Sequence, residues 1–177
     1  SGISTQTQND LENRGGTFGS AYGPGGVNNP EGVTSNINGV QMNIRGFIET
    51  SFLDWDGKIS SVVFLPYCNF KCPFCDNGIL IEDPETLPEI KIEAIEDFIR
   101  QRKDFIDGVV ITGGEPTIHP WLPELIRRFK ALDVLVKLDT NGTDPRAVSA
   151  LIAQKLIDYV AMDLKAPLND KYHEAAA

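Results

Sequence analysis

Apolar residues recur along residues 42–177 with two periods that alternate, one suited to strands and one to helices. The stretch 60–66, Ser60-Ser61-Val62-Val63-Phe64-Leu65-Pro66, is a continuous apolar run of the kind found in strands buried on both faces. Residues 90–103 carry Ile92, Ile95 and Ile99 at helical spacing with charges elsewhere, which predicts an amphipathic helix. Gly108-Val109-Val110-Ile111-Thr112-Gly113 reads as a second short buried strand. Across residues 120–132, Leu122, Leu125, Ile126 and Phe129 fall at i, i+3, i+4 and i+7, the apolar face of a second helix. Residues 134–138 and 159–164 supply a third and a fourth strand. Between them, Asp144 stands as an N-cap before a first-turn proline, Pro145, and Val148, Leu151 and Ile152 line the helix that follows. Strand–helix alternation of this kind predicts the α/β class, with parallel strands joined by right-handed crossovers.

Residues 1–41 break the pattern. They hold nine of the sixteen glycines and many Asn, Ser and Thr, with almost no periodic apolar residues. Such a segment buries too little surface to offset its ordering entropy and reads as a flexible extension with turns. The expected organisation is therefore a Gly/Asn/Ser-rich extension over 1–41 and one folded domain over 42–177. Ser1-Gly2 resembles the remnant of a cleaved tag, and Met42 is a candidate native start. Low complexity needs no functional role, so a glycine-bearing peptide for an active site is the disfavoured reading here.

In parallel α/β sheets, ligands bind at the carboxyl ends of the strands, and the unusual polar residues of this chain fall there. Cys68, Cys72 and Cys75 follow the first strand, and Gly113-Gly114-Glu115-Pro116 follows the second. Asp139-Thr140-Asn141-Gly142 follows the third, and Asp163 with Lys165 ends the fourth. Four polar groups at equivalent strand ends suggest one site. Plainer roles suit other residues: His119 as a packing or capping residue, Trp55 and Trp121 as packing anchors, and 83–88 as a connection.

The chain is acidic, with 25 Asp+Glu against 16 Lys+Arg and a formal net charge of −9. That disfavours a nucleic-acid binder, which normally presents a basic patch. No segment approaches the ~20 apolar residues of a membrane span, and no signal-peptide pattern opens the chain. With no spare cysteine for a disulfide, a reducing cytoplasm is the expected compartment.

All three cysteines lie in Cys68-Asn69-Phe70-Lys71-Cys72-Pro73-Phe74-Cys75. Three thiols in eight residues cannot all pair as disulfides. Three thiolates on one tight loop suit a [4Fe–4S] cluster, whose usual complement is four cysteines, so one iron would stay open for a small molecule. A zinc site completed by His119 or His173 is the competing reading, since tetrahedral zinc takes four ligands or three and a water. Unliganded core cysteines fit poorly beside Asn69, Lys71 and Asp76.

Together, the C-x3-C-x2-C spacing and Gly113-Gly114-Glu115-Pro116 resemble the radical S-adenosylmethionine (SAM) superfamily. Residues 46–51 and 54–59, with Leu138-Asp139-Thr140-Asn141-Gly142 and Met162-Asp163-Leu164-Lys165, resemble glycyl-radical-enzyme activases. Among these, the anaerobic ribonucleoside-triphosphate reductase activating proteins and the pyruvate formate-lyase activating enzyme are similar. The resemblance covers residues 43–174 and implies a partial (β/α) barrel of parallel strands. Two further strand–helix units would be expected after the fourth strand, and their absence from residues 1–177 would make SAM binding weak.

The roles it implies are specific. Cys68, Cys72 and Cys75 would ligate the cluster, and SAM would bind its open iron. Gly113 and Gly114 would allow close approach of the ligand, Glu115 would accept from the SAM ammonium, and Pro116 would hold the turn. Asp139 and Thr140 would contact SAM, Asp139 with a possible share in a monovalent cation site, and Phe74 would flank the adenine. Reductive cleavage would yield a 5′-deoxyadenosyl radical that takes a hydrogen from a glycine of a partner enzyme, anaerobic ribonucleotide reductase being the expected one. A flavodoxin or ferredoxin-like protein would supply the electron. Cys75-Asp76-Asn77 departs from the Cys-His-Asn of such activases. Asp at that place also occurs in 7-carboxy-7-deazaguanine synthases, which makes a small-molecule radical SAM enzyme the alternative.

Overall fold

Five strands form one sheet in the computed structural model, which describes residues 36, 37 and 40–176. They are β3 (Gly46–Ser51), β4 (Ser60–Leu65), β5 (Gly108–Gly113), β6 (Leu135–Thr140) and β7 (Tyr159–Met162), hydrogen-bonded in that order. β4 to β7 run parallel, and β3 pairs antiparallel with β4. A two-residue ladder, β1 (Asn36–Ile37) with β2 (Val40–Gln41), precedes them. The rest of the expected extension over 1–41 lies outside the described residues.

The apolar run of β4 is buried at every position because the sheet is covered on both sides. Val63 and Leu65 face a large core with Val109, Ile111, Val136 and Leu138. Helices α2 (Ile92–Gln101), α3 (Leu122–Lys130) and α4 (Pro145–Ala153) close that side through the isoleucines of α2, Leu125 and Phe129 of α3, and Leu151 of α4. Val62, Phe64 and Val110 face a smaller core, built on Trp55 and on Leu80 of the short helix α1 (Gly78–Glu82). Pro145 stands at the start of α4, and Asp144 caps it by accepting from the N–H groups of Arg146 and Ala147.

Several elements differ from the sequence expectation. β3 was not predicted as a strand, because its burial follows no simple alternation. α1 and the terminal α5 (Lys171–Ala176) are too short to carry a helical period. The third strand runs on to Thr140, so Asp139 and Thr140 end β6 rather than follow it. The fourth strand stops at Met162, two residues early. Ile152 lies off the buried face of α4 and is exposed. Among the described residues, no helix is long and apolar enough to cross a membrane.

Candidate cofactor site at the carboxyl ends of the strands

The sheet register pairs Phe64 of β4 with Thr112 of β5, and Asp139 of β6 lies one residue beyond the last β5–β6 pair, Ile111 with Leu138. Two residues back on each strand stand Val62, Val110 and Lys137, whose side chains share one face with these because strand side chains alternate. The loop over residues 51–59 folds across the face, with Trp55 packed against the second core. It fills the amino-terminal half and leaves a cavity of about 450 Å3 at the carboxyl end. A volume of that size suits a nucleoside-sized ligand.

β4 enters the cysteine loop through Tyr67, whose φ of 64° is left-handed. The Tyr67 N–H donates to Leu80 O, and Tyr67 O accepts from Glu115 N, each at 2.8 Å. Gly114 N donates to Leu65 O at 2.8 Å. A Cβ on Gly114 would lie 1.7 Å from Tyr67 O, and one on Gly113 2.4 Å from Leu65 O. The backbone that the two glycines let approach is therefore the chain's own, although both residues also line the cavity. At the far end of the loop, Asn77 Nδ2 donates to Gly113 O at 3.1 Å.

Cys68, Cys72 and Cys75 all line the cavity, as do Phe74, Asp139 and Thr140. Glu115 and Pro116 do not; both are buried beside it. Glu115 is 1 % exposed. Its Oε1 accepts from the Thr117 N–H and hydroxyl and from Thr140 Oγ1, the last at 2.7 Å. Its Oε2 accepts from Asn141 N at 2.7 Å. The carboxylate thereby joins the end of β5 to the end of β6.

Burial pushes the Cys68 and Cys75 thiols up from their ordinary range, so metal binding there would release protons. Burial also raises the Asp139 carboxyl, against the pull of Lys137, whose Nζ is 2.9 Å from Asp139 Oδ1. For Lys165, burial disfavours the charge. The bond to Asp163 at 2.8 Å and its charge, with the charge of the Cys72 and Cys75 thiolates, outweigh it and hold the ammonium above its usual range.

The donor set fits a cubane cluster. Such a cluster places each ligand on a different iron, so it needs thiols spaced around a shared volume. A zinc ion needs its donors to converge on one point. Among the described residues, no three His, Cys, Asp or Glu side chains are drawn together on a metal ion of either kind, so the fit to a cluster rests on the three thiols lining one cavity. His119 is buried, with Nε2 2.8 Å from Pro66 O, and packs against Trp121, as its packing role requires.

Sequence reasoning passed over Lys137, and named Asp54, Asn77 and Asn141 only within motifs, without a role of their own. Lys137 Nζ donates to Asp54 O at 2.6 Å and so ties the 51–59 loop to Asp139. Its signal was a charged residue in the middle of an apolar strand. Asn141 carried a weaker one, inside a run that also reads as a turn.

A fold of parallel strands carrying three cysteines and a Gly-Gly-Glu-Pro turn at one end defines the radical SAM class. The Radical SAM superfamily model matches residues 62–176, and the chain belongs to that superfamily, whose members use a [4Fe–4S] cluster and SAM. It is 41 % identical over 133 residues, 74 % of its length, to a Methanocaldococcus jannaschii protein named "Putative glycyl-radical enzyme activating enzyme". A Haemophilus influenzae protein of the same description is 34 % identical over 56 % of the chain and 38 % of that protein. The 7-carboxy-7-deazaguanine synthase of Neisseria meningitidis is 32 % identical over 68 % of the chain. The chain spans about half the length of the curated relatives it matches, 53 % of the first and 51 % of the last.

Proposed function

We propose that the chain is the SAM- and cluster-binding part of a glycyl-radical-enzyme activase, with anaerobic ribonucleotide reductase as the expected partner. The observation that carries this reading is the 41 % identity to the M. jannaschii protein over 74 % of the chain. A flavodoxin or ferredoxin-like donor and a reducing cytoplasm go with it.

In this reading, Cys68, Cys72 and Cys75 hold the cluster from one wall of the cavity. Gly113 and Gly114 form the facing backbone, held in place by the Leu65 and Tyr67 carbonyls. Glu115 and Pro116 support that backbone from beneath. Asp139 and Thr140 present polar groups at the floor, where a ligand with an ammonium and hydroxyls would orient, and Phe74 offers an aromatic face for a base. When bound, cluster and SAM supply one-electron cleavage of the sulfonium to a 5′-deoxyadenosyl radical. The chain's own work is to orient the bound groups and exclude water.

The test is anaerobic iron–sulfide reconstitution followed by electron paramagnetic resonance (EPR) of the reduced protein with and without SAM. A cluster signal that changes on adding SAM is expected, together with a glycyl radical when an anaerobic reductase is supplied. Bound zinc and no iron would overturn the cofactor reading. Asp76 and the N. meningitidis match favour a second reading, a small-molecule radical SAM enzyme. SAM cleavage stimulated by a pterin-like substrate, with no radical on any protein, would establish it over the first.

A further inference from the structure

Cys68 differs from the other two cysteines in what faces its sulfur. The Phe70 N–H donates to Cys68 Sγ at 3.3 Å, and Asn141 Nδ2 lies 3.8 Å from the same sulfur. Among the described residues, Asn141 is the one side chain that donates to a cysteine sulfur. Which amide atom of an asparagine points where is decided by its partners. Here one partner is decisive: the Thr143 backbone N–H, which can only donate, lies 3.0 Å from Asn141 Oδ1. Thr143 Oγ1 adds a second donor to that oxygen at 2.7 Å. Nδ2 must then face the other way, toward Cys68 Sγ and toward Asn69 Oδ1 at 2.8 Å. Asn69 Nδ2 closes the ring by donating to Thr143 Oγ1 at 2.8 Å. Asn141 is fixed from below as well, since its own N–H donates to Glu115.

We propose that Asn141 is a positioning residue for the cluster, setting its reduction potential through an N–H···S bond to Cys68. This rests on the cofactor reading above. Hydrogen bonds to ligand sulfurs stabilise the more negative, reduced state and raise the potential. Among the described residues, Cys68 thus carries a side-chain donor in addition to the Phe70 N–H, whereas Cys75 has only the Asn77 backbone N–H, so the ligands are unequal and Cys68 becomes the weakest electron donor of the set.

The experiment is a redox titration of the reconstituted 177-residue chain, followed by EPR, for the unaltered protein, Asn141→Ala and Thr143→Ala. Asn141→Ala is expected to lower the midpoint potential, so that the reduced-to-oxidised ratio at a fixed potential falls about fivefold. Thr143→Ala breaks the ring between the loops but keeps the backbone N–H that orients Asn141, and its potential should stay unchanged. Equal potentials in Asn141→Ala and the unaltered chain overturn the proposal. So does an equal shift in Thr143→Ala, which would mark an effect of loop packing. Should Asn141→Ala fail to take up iron, the side-chain amides of asparagine can be labelled with 15N in the Asn69→Ala background. Pulsed EPR of the reduced cluster should then show coupling to one amide nitrogen, and its absence overturns the proposal. A chain that forms no cluster at all overturns the cofactor reading, and this inference with it.

Discussion

A methyl group on Gly114 would meet Tyr67 O at 1.7 Å, whereas one on Gly57 would meet nothing within 4 Å. The two glycines are needed for different reasons. Gly57 has a φ of +70°, so alanine there would strain the backbone and nothing else. Gly57→Ala should cost about 1 kcal/mol. Gly114→Ala must push apart the two backbones that frame the cysteine loop and should cost about 3 kcal/mol or more. Urea denaturation of both variants measures the difference; equal losses would mean that the Leu65–Tyr67 contact yields easily. His119 gives a second prediction at this scale. Burial lowers its pKa from 6.5 in the folded chain, so folding disfavours the protonated ring. The stability this contributes is fully present above the unfolded value near 6.5 and is lost as pH falls through it toward the folded value. The urea midpoint should therefore drop more steeply between about pH 7.5 and about pH 5.5 in the unaltered chain than in His119→Gln. Parallel slopes would place the acid sensitivity elsewhere.

The helices of the large core are joined by charge as well as by apolar contact. Arg128 of α3 reaches across to α2, donating to Glu96 Oε1 at 2.6 Å, to Glu96 Oε2 at 2.7 Å and to Glu93 at 3.1 Å. The Glu96 side chain is only 8 % exposed. Arg128→Ala leaves this carboxylate with Arg100 at 3.3 Å as its remaining cation and should cost about 2 kcal/mol in urea denaturation. A loss no larger than that of an exposed pair, such as Arg127–Glu124, would show that Arg100 compensates. Elements with a strong period were legible in the sequence: the apolar runs of β4 and β5, and the i, i+3, i+4, i+7 faces of α2 and α3. β3 was not, because its place is set by pairing with β4 and not by a pattern of its own. On β6 buried positions alternate without a break, and Lys137 falls among the half-buried ones where the sequence shows a charge inside an apolar strand. That lysine is held by Asp54 O and Asp139, partners far away in sequence.

For the whole molecule, the strand-end rule already placed the three cysteines, Gly113, Gly114, Asp139 and Thr140 at one site, and all of them line one cavity. What stayed hidden was which face of the sheet the site uses, because that depends on the loop over 51–59 filling the other half. The buried role of Glu115 was hidden too, since its four donors come from the helical turn after β5 and from the end of β6 with the residue beyond it. The division of the chain at residues 41 and 42 is likewise proposed, on the change from exposed Gln41 to fully buried Met42 and Ile44. Limited proteolysis should trim the chain to a resistant piece beginning near Met42; early cleavage inside residues 60–160 would contradict the division. One feature of the frame bears on cofactor capture. Tyr67 and Asn77, the residues flanking the cysteine loop, are both tied to the end of β5, through Glu115 N and Gly113 O. A free loop of about ten residues loses about 2 kcal/mol of chain entropy when its ends are brought together. The hydrogen bonds that hold Tyr67 and Asn77 involve no metal, so at the proposed cluster site they would offset that cost and raise the effective concentration of the three thiols toward iron. Weakening that tie, even at a residue that touches no sulfur, would slow cluster assembly by dilution.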